Sequence, residues 1–299
     1  MRLLRHWNRM LIAVLVGLVL AQTTLGVGHA QTVASPPAAA AENTATSFTF
    51  GIVPQQSAAK LAENWVPVLA YLGDRSGTEL KFRTAPDIPE FERRVAAGGY
   101  DFAYMNPYHY TVFSREPGYR AFAKAANQPI RGILVVRADS PIQSPAELAG
   151  TTIAFPAPAA FAASVLARAY LTNAGIPFTP QYVSSHDSVY RTVAKGLYAA
   201  GGGVIRTLDS VAPDVRAQLR VLWTSDAYTS HAFAAHPRVP APVVAALTKA
   251  MIEMGDTDTG RALLAPLSIG GFESATDSDW NDVRSLGIDL LRNLNQPAP

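Results

Sequence analysis

The chain has no cysteine. That excludes disulfides, thiolate nucleophiles and cysteine-ligated metals. Charge is also scarce: 16% of residues are Asp, Glu, Lys or Arg, and the formal net charge is +2. The positive excess lies at the start, where Arg2, Arg5 and Arg9 face no acid within the first thirty residues. Removing those three from the 25 Lys and Arg leaves 22 bases against 23 acids. The remainder therefore carries no basic stripe of the kind that binds nucleic acid. Long apolar runs are missing too. The run over residues 10–21 is twelve residues long, too short to span a bilayer comfortably. There is no Gly-x-Ser-x-Gly elbow and no His-Glu-x-x-His. Gly201-Gly202-Gly203 lacks a following Gly-Lys-Ser/Thr, so it is no P-loop, and His231 and His236 lack metal-ligand spacing.

The N-terminus reads as an address. A basic stretch, the short apolar run and the small residues of Gly28-His29-Ala30 predict a signal peptide over 1–30, cleaved before Gln31. An uncleaved membrane anchor is the competing reading. No cysteine follows the apolar run, so a lipidated N-terminal Cys is excluded. Residues 31–46 are rich in Ala, Pro, Ser and Thr without apolar periodicity and predict a disordered tether. About 250 residues remain, enough for two lobes with separate cores.

Beyond the tether the pattern alternates between strand and helix. Strands are expected at 47–53, 79–84 and 101–104, with helices at 57–74 and 88–97 between them. Leu61, Trp65, Val68, Leu69 and Leu72 mark one face of the first helix. This βαβαβ order predicts an α/β lobe with a largely parallel sheet. A second set follows: strands at 133–137, 151–155, 181–183, 201–205 and 219–224, helices at 159–174 and 188–195. The last third is helical, over 241–254, 258–264 and 279–294. It is positioned to return and pack on the first lobe.

Polar side chains gather where strands end. Gly51-Ile52-Val53-Pro54-Gln55-Gln56 runs from strand into bend, and Gln55 and Gln56 offer amide donors. Ordinary loop polarity explains them equally well. Residues 100–110 contain Tyr104, Asn106, Tyr108 and Tyr110 around Pro107. Phenols and a carboxamide donate neutral hydrogen bonds to an anion, while an aromatic minicore is the plainer alternative. Ser184-Ser185-His186-Asp187 opens a helix, whose free N–H groups attract anions. Ser185 or Asp187 could equally serve as the N-cap. Adjacent Ser, His and Asp on one turn point different ways, which disfavours a hydrolytic triad.

Taken together, these segments resemble the phosphonate/phosphite/phosphate family of periplasmic substrate-binding proteins, the soluble receptors of ABC importers. Tyr104-Met105-Asn106-Pro107-Tyr108-His109-Tyr110 resembles the family's Tyr-x-Asn/Gly-Pro-x-x-Tyr, and His186-Asp187 its ligand-contacting Ser-His-Asp. Further family-like pieces are Val136-Arg137-Ala138-Asp139-Ser140-Pro141-Ile142, Glu147-Leu148-Ala149-Gly150 and Gly270-Gly271-Phe272. The family's Ser-Thr-Ser-Gly anion-holding turn is replaced by Ala160-Phe161-Ala162-Ala163, so two hydroxyl donors are missing.

The resemblance implies a two-lobe, type II periplasmic binding protein of α/β class with two hinge crossings. Lobe 1 would be 47–131 plus 226–299, and lobe 2 would be 132–225. It implies a binder rather than an enzyme, a monomer in the periplasm, and neither metal nor organic cofactor. The partners would be a small anionic or zwitterionic ligand and an inner-membrane ABC permease. The ligand, phosphonate-like or a divergent organic anion, would meet Gln55, Tyr104, Asn106 and Tyr108 on one wall. Ala160, Ala162, Ser185, His186 and Asp187 would form the other. A sensor coupled to a membrane kinase or receptor is the alternative role.

Overall fold

The structure, a computed structural model, describes residues 46–291. The signal peptide and all but the last residue of the expected tether lie outside them. Eleven strands form two sheets among the described residues. The first is built from β1 (Ser47–Ile52), β2 (Glu79–Arg83), β3 (Phe102–Met105) and β4 (Arg120–Ala125). The second takes β5 (Ile133–Arg137), β6 (Thr151–Phe155), β7 (Phe178–Tyr182), β8 (Ala200–Gly203) and β9 (Leu219–Thr224). The chain then returns to the first sheet with β10 (Ala232–Ala235) and β11 (Phe272–Ser274). The spatial orders are β11-β4-β10-β3-β1-β2 and β7-β6-β8-β5-β9.

Each sheet has a parallel trio, β2-β1-β3 or β7-β6-β8, continued by an antiparallel strand. The largely parallel first sheet expected from sequence is therefore only half parallel. β10, β4 and β11 add antiparallel strands at one side. The chain crosses between sheets twice, after β4 and after β9. The two crossings pair with each other: Ile130 and Tyr228 exchange backbone hydrogen bonds of 2.8 and 3.0 Å, and the Ser225 N–H donates to the Gly132 carbonyl at 2.8 Å.

Helices position the strand ends. In order they are α1 (Ala58–Ser76), α2 (Ile88–Ala96), α3 (Pro107–Phe113), α4 (Ala167–Asn173), α5 (His186–Ala194), α6 (Ile205–Asp209), α7 (Pro213–Ala217), α8 (Ala241–Met254), α9 (Asp258–Leu264) and α10 (Asn281–Arg284). α1 starts at Ser57, whose hydroxyl accepts the Lys60 N–H, and stops at Gly77 with φ 69°. Its buried face is Leu61, Trp65, Val68, Leu69 and Leu72, the apolar stripe the sequence predicts. α8 packs beside it, so the C-terminal helices do return to the first sheet. In the second sheet the period of two is explicit: Ile133 and Val135 join one core, Leu134 and Val136 the other.

The first core does not end at its own sheet. Ala159–Ala163 and Val204, from the second sheet's connections, belong to the same buried cluster as Tyr104 and Phe233. The two halves are in apolar contact across the cleft.

Candidate functional site

Both walls of the cleft arise from strand ends. β3 ends at Met105. Asn106 then caps α3, its Oδ1 accepting the His109 N–H at 2.8 Å, and Pro107 takes the first helical position. The strand–cap–proline order holds Tyr104 and Asn106 at the cleft, both buried. On the other wall, Phe161–Leu166 is a π-helical turn leading into α4. The Ala160 carbonyl accepts from both Ser164 and Val165. The turn lies directly on the second sheet. A Cβ at Gly202 would sit 1.9 Å from the Ala163 carbonyl oxygen, and one at Gly132 2.2 Å from that of Ala162. Glycine at those two positions, and alanine in the turn, let helix start and sheet touch.

Four hydrogen bonds cross the cleft. The Arg206 guanidinium donates to Gln55 Oε1 at 2.7 Å, and Gln56 Nε2 donates to Ser210 Oγ at 2.7 Å. The His186 N–H donates to the Gln55 carbonyl at 3.2 Å, and Asn106 Nδ2 to the Ala159 carbonyl at 3.1 Å. The lobes are thus closed on each other.

Three neighbouring chambers remain between them. The largest, about 180 Å³, has Tyr104, Ile130, Val204, Arg206, His231 and Ile269 in its wall. A second, about 20 Å³, lies between Gln55, Trp65, Tyr104, Arg206 and Thr207. The third, about 10 Å³, sits beneath the helix start, among Gln55, Asn106, Ala160, Ala162, His186 and His231. That space admits about one water. Phe161, edge-on to Tyr228 at 5.5 Å, fills the region.

The sequence-predicted residues divide. Gln55, Tyr104, Asn106, Ala160, Ala162 and His186 all line these chambers. Tyr108 does not join them. Its hydroxyl accepts the N–H groups of Leu290 and Leu291 at 2.7 and 3.0 Å and pins the C-terminal segment. Ser185 is the N-cap of α5, its hydroxyl accepting the Ser188 N–H at 3.1 Å. Asp187 lies where α5 meets the start of α1. Burial raises its carboxyl above the ordinary value, against the pull of Arg191, the Ser57 N–H and Lys60. His186 is held through Nδ1 by Thr207 Oγ1 at 3.1 Å. Ser185 and His186 therefore reach different partners, Asp187 Oδ1 is buried without a hydrogen-bond partner, and the three assemble no relay.

The electrostatics decide which groups in the cleft carry charge. Burial, assisted by Arg206, pushes His186 down to about 3. His231 is driven well below its ordinary value for the same reasons. Both rings are neutral near pH 7, so the positive charge in the cleft is that of arginine: Arg206, with Arg131 at the wall of the chamber of about 180 Å³. Sequence reasoning missed Arg206 and His231. Arg206 stands just beyond the Gly-rich strand β8, at the kind of strand end that drew attention to Tyr104 and His186. His231 precedes the alanine-rich β10, which has little strand signal of its own.

Comparison with known proteins fits this geometry. The family described as ABC transporter, phosphonate, periplasmic substrate-binding protein matches residues 50–280. The phosphate-import protein PhnD of Mycolicibacterium smegmatis is 22% identical over 292 residues, covering 83% of this chain and 87% of the relative. A binding-protein component of an ABC phosphonate transporter from Pseudomonas aeruginosa superposes with a TM-score of 0.74 at 18% identity, over 81% of this chain and 86% of that one. PhnD1 from Prochlorococcus marinus, solved with methylphosphonate, gives 0.74 at 15% identity, over 84% and 99%. The fold is that of a two-lobe, type II periplasmic binding protein. The family match spans most of the chain, and the protein belongs to the phosphonate-type periplasmic substrate-binding proteins of ABC transporters. Members of that family bind a substrate rather than transform it.

Proposed function

We propose that this protein is the soluble receptor of an ABC importer and that it takes a small anion between its lobes. Lobe 1 is 47–131 plus the chain from 226 onward, lobe 2 is 132–225, and the paired crossings at Ile130 and Tyr228 are the hinge. Gln55, Tyr104, Asn106, His186 and the turn at Ala160 and Ala162 meet the ligand from both sides. The first N–H groups of a helix have no partner within it; Phe161–Ala163 supplies them here without serine hydroxyls, while the Ala160 N–H donates to the Ala157 carbonyl at 3.3 Å. The mature protein is a periplasmic monomer, and its partner is an inner-membrane permease that reads the closed form.

The observation that carries this reading is the set of four cross-cleft hydrogen bonds around the chambers. Closure that builds the site from both lobes is how a receptor links ligand binding to a signal at its surface. A thermal-shift screen with methylphosphonate, phosphite, phosphate, alkylsulfonates and alkylcarboxylates tests it. At least one anion should raise Tm in a concentration-dependent way. If none does at millimolar concentration, the receptor reading is wrong.

A further inference from the structure

The largest of the three cleft chambers is walled by two arginines, Arg131 and Arg206, and by no acid. Neither smaller chamber contains an Asp or Glu in its wall. Arg131 is exposed and directs its guanidinium to the Ser225 carbonyl at 2.9 Å. Arg206 is only half-exposed and has no described carboxylate within ion-pair distance. It spends one N–H on Gln55 Oε1 and leans over the Tyr104 ring, 5.8 Å from its centroid. A guanidinium has five N–H donors. A partly desolvated charge with most of its donors uncommitted is costly unless an anion meets it.

A second feature of the same wall points the same way. His231 is 4% exposed, and its Nε2 is buried without a hydrogen-bond partner. The ring stacks on Tyr104 at 4.9 Å and borders both the largest and the smallest chamber. Buried ring nitrogens are ordinarily satisfied. Arg206 and His231 thus present unspent polar groups to one space. Ile130, Val204, Ile205 and Ile269 give that wall an apolar part, beside the neutral polar side chains of Gln128, Ser230 and Ser268.

We propose that the cleft selects an organic monoanion. Its carboxylate or sulfonate head rests on Arg206 and His231, and its apolar body lies against Ile130, Val204 and Ile269. The proposal rests on the receptor reading above and narrows its ligand class. An ammonium group finds no acid in any of the three cleft chambers and two arginines in the largest of them, so zwitterionic aminophosphonates are rejected. Inorganic phosphate has no apolar body, and the space beneath the helix start offers it about 10 Å³ and no serine hydroxyl.

Calorimetry at pH 7.5 on the mature protein tests this with hexanoate, pentane-1-sulfonate, 2-aminoethylphosphonate and phosphate. One or both of the first two should bind, identifying which head is preferred. The last two should bind at least about tenfold more weakly, the loss of roughly one charge-assisted hydrogen bond. Arg206→Gln should weaken the monoanion by roughly 10- to 100-fold, and Arg206→Lys should recover part of that loss. Gln55→Ala removes the cross-cleft bridge but keeps the charge, and should cost much less than Arg206→Gln. Unchanged Tm in the unliganded variants shows that they fold. The inference is overturned if neither monoanion binds, if phosphate or 2-aminoethylphosphonate binds more tightly, or if Arg206→Gln leaves affinity unchanged. Tight phosphate binding would sink the inference and leave the receptor standing. Failure of the whole anion panel would remove both.

Discussion

Acid should destabilise this protein through His186 by an amount that can be worked out. The ring is 3% exposed, and its folded pKa lies near 3 against an ordinary 6.5. Because the folded value is depressed, the unfolded chain binds the extra proton first. Stability from the neutral ring is full above pH 6.5 and is lost as pH falls towards 3. Each pKa unit corresponds to about 1.4 kcal/mol. The loss is then about 2 kcal/mol at pH 5 and about 4–5 kcal/mol at pH 3. At roughly 2–4 °C per kcal/mol for a domain of this size, Tm should fall by about 4–8 °C between pH 7.5 and 5 from this group alone. Other groups titrate in the same range: His231 in the same sense, Asp187 in the opposite one. The readout is therefore the difference between the wild type and His186→Asn, whose amide can keep the contact with Thr207. The variant's Tm should vary less with pH by that same amount. Parallel pH curves for the two proteins would refute the argument, because they would mean that the ring is not buried neutral.

Other outcomes follow from the same structure. Tyr108→Phe removes the acceptor for two backbone N–H groups. It should cost about 1–3 kcal/mol of stability and speed hydrogen exchange at Leu290 and Leu291, with ligand affinity unchanged; an affinity loss without a stability loss would put Tyr108 in the site after all. Ala160→Ser with Ala162→Ser restores two hydroxyls beside the helix start and should tighten phosphate binding roughly tenfold or more. Calorimetry showing no gain would mean that the turn does not face the anion. Mass spectrometry of periplasmic protein should show a chain beginning near Gln31, and an intact leader in the membrane fraction would contradict this.

Much of the architecture was legible because its strands and helices carry strong periodic signals. The expected spans at 133–137, 151–155, 219–224, 241–254 and 258–264 agree with β5, β6, β9, α8 and α9. Those segments combine β-branched residues or a clear apolar face with distinct stops. What was illegible shares a physical cause. β4 reads RAFAKA and β10 AFAA. Alanine has weak strand propensity, and these strands are specified by pairing with distant partners. α3 was hidden because its capping residues, Asn106 and Pro107, also look like a loop. The expected helix at 279–294 yields only a 3₁₀ turn and the four-residue α10 within the described residues. For the site, polarity at a strand end found Gln55, Tyr104, Asn106 and His186. It could not say which way a tyrosine points. Tyr104 and Tyr108 are four residues apart, yet one faces the cleft and the other the C-terminal segment.

Interlobe distance tests the central claim most directly. The chain has no cysteine, so Val66→Cys on α1 and Leu197→Cys beyond α5 give a single labelled pair on exposed positions. Pulsed electron–electron resonance on the spin-labelled protein should show a broad, longer distance alone. A shorter, narrower one matching the closed structure should appear when a binding anion is added. A distribution that does not change with an anion shown by calorimetry to bind would contradict closure on the ligand, and with it the receptor account.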